Sequence, residues 1–192
     1  MLRKFLLLAV LLPVFALISV GTASADSKYT TRTLAKVLLT QDEVNTMLKD
    51  QKSDLRITDF IDIDPSDDPV SVGRVYRGND DQIIDISLFS PKSGAVFTDS
   101  QHDKLLSADT ARQFADSTFT KIKDFDAFGD ILGDDFGASF TGTYNGEIYN
   151  VAEVIFVKGN VYGLVLYATT GDPEGRDLGR IYGTQLNKLE GN

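Results

Sequence analysis

The densest run of oxygen ligands lies between Asp59 and Asp68, where Asp62, Asp64, Ser66 and Asp67 follow one another closely. Calcium takes about six to eight oxygens, and Asp62, Asp64 and Ser66 occupy the first, third and fifth positions of a calcium loop. The pattern then departs from that loop. Asp67 stands where the loop requires glycine, and Gly73 where it requires the bidentate glutamate. Asp and Pro also build ordinary turns, because short carboxylates bond their own backbone. The segment therefore reads as an acidic turn first and as a calcium site second. Adjacent acids at Asp80/Asp81 and Asp134/Asp135 raise carboxylate-dependent hydrolysis. That chemistry needs two carboxyls facing each other about 5–10 Å apart across a cleft, whereas neighbours in a strand point to opposite faces.

His102 is the one histidine and there is no cysteine, so a zinc site would rest on carboxylates alone. A Ser-His-Asp relay would have to use His102, in the polar stretch Ser100–Asp103, and no G-x-S-x-G turn accompanies it. A solvated histidine is the expectation. The connection 125–137 carries Phe125, Phe128, Ile131 and Phe136 between glycines. Such a segment serves either as a ligand or partner patch or as the closing end of the core. No side chain here demands a cofactor, and the chain reads as a binding or accessory module more readily than as an enzyme.

The amino terminus gives an address. Arg3 and Lys4 precede an apolar run from Phe5 to Val20, and Ala23 and Ala25 stand where a signal peptidase reads. Basic head, apolar run and A-x-A describe a secretory signal peptide over 1–25, giving a secreted or periplasmic product. Of 192 residues, 167 then remain, enough for one domain with its own core. An exported chain without cysteine must hold together by packing alone. It also lacks the cysteine that bacterial lipid anchoring needs, so a soluble monomer is expected. After cleavage 17 basic residues face 28 acidic ones, a net charge of −11. Nucleic acid and anionic lipid are poor partners for such a surface. The partner is a protein or small ligand of unknown identity.

Residues 26–39 read as a polar leader before a single domain at 40–192. Thr40 and Glu43 form a T-x-x-E capping box ahead of Val44, Met47 and Leu48, predicting a helix over 41–51. Alternation predicts a strand from Leu55 that ends at Pro65–Pro69, then strands at 70–77 and 82–90 around Gly78–Asp81, and a short one at Ala95–Thr98. Ser107 caps a predicted helix 108–124, with Ala111, Phe114, Ala115, Thr118, Phe119 and Ile122 as its stripe. Strands 137–144, 147–157 and 161–169 form a meander. Its turns are Asn145-Gly146, suited to type I′, and Gly159-Asn160, suited to type II′. A last helix spans 176–190, and its Gly179 and Gly183 are attributed to close approach to the sheet. Arg176 and Arg180 read as surface arginines rather than an anion site.

The meander is apolar on both faces, through Ile148, Ala152, Val154 and Phe156 on one and Tyr149, Val151, Ile155 and Val157 on the other. Both need cover, so the fold class is α+β, an antiparallel sheet of about six strands with helices on both faces, α-βββ-α-βββ-α. The hairpin Phe156 to Val161, with Gly159-Asn160 at its tip ahead of a terminal helix, resembles exported PsbP-like α/β/α sandwich domains. The resemblance covers residues 40–190 in element order. It implies a domain that binds or assists partners, and supplies no functional residue to carry over.

Overall fold

A computed structural model describes residues 29–50, 54–67, 70–79, 81–91, 97–129, 135–171 and 175–191. The expected signal peptide lies outside these residues. Among them no helix is long and apolar enough to cross a membrane.

Seven antiparallel strands make one sheet. They are β1 (Ile57–Asp67), β2 (Val70–Gly78), β3 (Ile83–Ser90), β4 (Thr120–Gly129), β5 (Asp135–Tyr144), β6 (Glu147–Lys158) and β7 (Val161–Thr169), in the order β1-β2-β3-β7-β6-β5-β4. The β3–β7 pairing joins two meanders, so the central strands come from opposite halves of the chain. Helices α1 (Thr31–Val37), α2 (Gln41–Asp50) and α5 (Gly175–Glu190) cover one face; α3 (Asp99–Leu105) and α4 (Ala108–Thr118) cover the other. The first face packs Ile84, Ile86, Val154, Phe156 and Val165 against Leu34, Val44 and Ile181. The second packs Ile155, Tyr162 and Leu164 against Ala111 and Phe114. The expected α+β sheet with helices on both faces is therefore the architecture, with one strand more than anticipated.

That extra strand corrects the helix expected over 108–124. α4 ends at Thr118, and Phe119 is already extended (φ −114°, ψ 150°). β4 then pairs Thr120 with Thr143, Lys123 with Thr141 and Asp126 with Ser139, so three residues oppose two, twice over. Lys121 and Asp124, at φ 54° and 52°, take up the extra residues in left-handed conformations. A doubly bulged strand thus presents Phe119, Ile122 and Phe125 inward every third residue, and period three imitates a helix.

The first strand ends inside the expected Pro65–Pro69 stretch, but past Pro65 itself. β1 runs on to Asp67, with a register shift between Ile63 and Ser66 that accommodates the proline on a free sheet edge. The polar leader is also corrected from Thr31 onward. α1 buries Leu34 and Val37, and Leu38 and Leu39 follow them into the core. Thr98 caps α3 through a capping box with Gln101 instead of closing a strand; Ala95 and Val96 lie outside the described residues.

Both hairpin turns take the expected form. Asn145 and Gly146 have φ of 50° and 91°, and Gly159 has 58°. Close approach to the sheet does not explain the helix glycines. A Cβ at Gly179 or Gly183 would meet nothing within 4 Å. Gly179→Ala and Gly183→Ala should each therefore stabilise the protein by about 1 kcal/mol, through helix propensity alone. Thermal melts read this directly, and a lowered melting temperature would mean that a partner group does sit against the helix.

Candidate functional site

The second face carries a row of polar side chains where packing calls for apolar ones. The register aligns Val75, Asp85, Leu166, Glu153 and Ala138 across five adjacent strands. Glu153 alternates with Val151 and Ile155, both packed on this face, so its side chain enters the same layer. Asp85 sits on the same row with one strand between, about 10 Å away at the usual strand spacing. One rung along β3, Ser87 donates its hydroxyl to Asp85 Oδ1 at 2.8 Å. Gly73 lies opposite Ser87, and a Cβ there would fall 2.9 Å from Ser87 Oγ and 2.5 Å from Ile63 Cδ1.

Burial sets the electrostatics. Asp85 is 8% exposed, and its carboxyl is pushed up to about 6 by loss of solvent, against the pull of the Ser87 hydroxyl. Glu153 is 0% exposed, and burial raises its carboxyl well above the usual range. Tyr162 is raised by burial and by the nearby Glu153. Among the described residues, Glu153 Oε1, Glu153 Oε2 and Tyr162 OH are buried without any hydrogen-bond partner. Native interiors satisfy almost all such atoms, because a buried unpaired polar group costs about 1–3 kcal/mol. Three of them on one face are the clearest anomaly in the fold. Gln82 Oε1, Ser90 Oγ and Arg180 Nη1 are also buried and unpaired, but belong to other elements or the opposite face. The rings of Phe89 and Phe114 flank Tyr162, each with its centroid 6.1 Å away.

The sites read from the sequence do not assemble into chemistry. Asp62, Asp64 and Ser66 are spread along the edge strand β1 rather than wrapped round a loop, and Asp62 is engaged by Arg74 Nε at 2.5 Å. Among the described residues no group of three His, Cys, Asp or Glu side chains could hold a metal. His102 is half-buried on α3, and no described Ser or Asp bonds its ring. Asp81 is exposed, while Asp135 is buried and accepts from Tyr182 OH at 2.7 Å; Asp80 and Asp134 lie outside the described residues. The pair that does share a face, Asp85 and Glu153, is sealed from water, so neither carboxyl meets a substrate in this conformation.

The described parts of the aromatic connection are strand, 125–129 ending β4 and 135–137 beginning β5. Phe125 is half-buried, stacks on Phe140 at 6.0 Å and carries the Arg112 guanidinium 5.3 Å above its ring. Phe136 is half-buried against the second cluster, and Phe128 is 41% exposed. Ile131 lies outside the described residues. Of the expected patch, Phe128 alone among the described residues is exposed. Phe125→Ser should accordingly cost about 2 kcal/mol, and Phe128→Ser no more than about 0.5 kcal/mol. Chemical denaturation of the two variants checks the contrast.

No protein-family model matches the sequence, and no curated protein matches it. Among solved structures, the extracellular domain of PknH from Mycobacterium tuberculosis aligns over 88% of this chain and 100% of that one, at 13% identity and a TM-score of 0.52. The two share a fold. LpqN of the same organism, described as involved in cell envelope biogenesis, aligns over 68% of this chain and 78% of its own at 23% identity. Its TM-score of 0.31 is too low to compare architectures.

Proposed function

We infer that this chain is an exported, monomeric, non-catalytic binding domain whose ligand site lies between the sheet and α4, around Glu153 and Tyr162. The observation that carries the reading is the trio of buried, unpaired polar atoms on that face, which a bound molecule would satisfy. A hydrolase is less well supported, because Asp85 and Glu153 lack access to solvent. Extracytoplasmic placement is supported by the leader at 1–25 and by the likeness to an entire extracellular domain. The PsbP-like hairpin points the same way, since members of that fold mostly bind or assist partners.

Native mass spectrometry of the mature protein, purified from the compartment it is exported to, tests both parts. The expected polypeptide begins at Asp26 and carries a small adduct that denaturation releases and Glu153→Leu lacks. A polypeptide still carrying Met1, or an adduct-free wild type, contradicts the reading.

A further inference from the structure

A molecule that meets Glu153 in its ionised form has to be a hydrogen-bond donor. An ionised carboxylate only accepts, and Glu153 offers two bare oxygens with the Tyr162 hydroxyl nearby. Among the described residues no donor is bonded to either Glu153 oxygen. Across the sheet the row continues through Leu166 and Ala138, and the next polar group is another acid, Asp85. The buried α4 side chains are Thr110, Ala111, Phe114 and Ala115, and the Thr110 hydroxyl already donates to the Lys104 carbonyl at 2.7 Å. Arg112 turns outward, donating to Asp116 at 3.1 Å and lying over Phe125. On α3, Lys104 and Asp103 are exposed. Two acids therefore share a layer with the rings of Phe89, Phe114 and Tyr162, and the described base on this face, Arg77, stands two residues beyond Val75 on β2, toward Tyr144.

That composition repels anions and leaves a neutral hydroxyl compound no charge to pair with. An ammonium group answers each feature. It donates to several acceptors, pairs with a carboxylate, and is attracted by aromatic faces. We propose that Glu153 and Tyr162 form the binding site of a small primary ammonium compound, taken up in exchange for the carboxyl proton of Glu153. In the exchange the neutral acid loses its proton to solvent, and the carboxylate left behind accepts from the ammonium N–H groups, so charge in the layer is conserved. The proposal rests on the binding-domain reading, and names the ligand class for its site. Entry requires α4 to part from the sheet, so association is expected to be slow.

The mature protein is titrated with n-butylammonium chloride, with n-butanol, and with potassium chloride at matched ionic strength. Melting temperature is followed, and calorimetry is run in two buffers of different ionisation enthalpy. Butylammonium is expected to raise the melting temperature in a concentration-dependent way and to release about one proton per molecule bound below the pH at which Glu153 ionises. Butanol and potassium should do neither. Glu153→Gln should abolish the response, and Tyr162→Phe should weaken binding about tenfold. If butanol stabilises as well as butylammonium and Glu153→Gln removes both effects, the cation class is wrong while the binding site stands. If Glu153→Gln keeps the response, the amine binds elsewhere and the proposal fails. If no additive acts, the proposal also fails, and the adduct measurement decides the binding reading separately.

Discussion

Glu153→Leu should make the domain more stable at pH 8, by at least about 2 kcal/mol, and should flatten its dependence on pH. Loss of a carboxyl usually weakens a protein; here the carboxyl has no partner to lose. In the unfolded chain it ionises in the ordinary range near 4.5, whereas burial raises it well above that in the fold. Above pH 4.5 the native state therefore holds more protons than the unfolded state, and stability falls as pH rises. Asp85 acts in the same direction within a bounded window, from 3.8 to about 6. Each group contributes a slope of about 1.4 kcal/mol per pH unit within its own window. The wild type should thus be most stable in mild acid. The advantage of Glu153→Leu should be largest at high pH and shrink toward pH 4, where the acid is neutral in both states and only the burial of its unpaired polar atoms remains. Urea melts at pH 4.5, 6 and 8 provide the comparison. A variant less stable than wild type at pH 8 would mean that Glu153 is ionised and paired.

Gln185→Leu should cost about 3 kcal/mol and release the amino-terminal segment first. Residues 37–39 enter the core without a strand partner, so side chains must satisfy their backbone. Gln185, fully buried on α5, donates Nε2 to the Val37 carbonyl at 2.7 Å and accepts from Leu39 N–H at 3.2 Å. Lys188 Nζ donates to the Leu38 carbonyl at 2.8 Å. Arg74 Nη1, at 2.9 Å, and the Tyr76 hydroxyl both donate to the Leu39 carbonyl. Leucine matches the volume of glutamine but leaves one donor and one acceptor buried and unpaired. Hydrogen exchange should show residues 31–39 losing protection ahead of the sheet. Unchanged exchange there, with stability intact, would mean that the segment is held by its leucines alone.

Local chemistry with a single solution was legible in the sequence. Asn145-Gly146 and Gly159-Asn160 announced their hairpins because few other residues accept positive φ, and the Thr40–Glu43 box announced α2 through reciprocal capping at 2.6 and 3.2 Å. The same box at Thr98 and Gln101 marks α3, and the strand expected over Ala95–Thr98 overlaps it. β4 was hidden for a different reason. Its two bulges shift the inward period from two to three, a rhythm that merges with the helix before it.

The candidate site was half-visible. Glu153 interrupts the face formed by Val151, Ile155 and Val157, in a strand whose other face is also apolar. An acid at such a position is the signal. Asp85 and Ser87 gave none, because beside Ile84, Ile86 and Leu88 they look like the solvent face of an ordinary strand. Only the β3–β7 pairing, formed across some eighty residues of chain, places them inside.

The most direct test is the ionisation state of one carboxyl. With 13C-labelled glutamate, and Glu153→Gln to assign the signal, the Glu153 side-chain resonance can be followed from pH 4 to 9 in the ligand-free mature protein. It should titrate well above pH 4.5 in the free protein and move to the ionised position when butylammonium is added. A resonance that titrates near pH 4.5 in the free protein would show a solvated or paired carboxyl, and would contradict the account of this site.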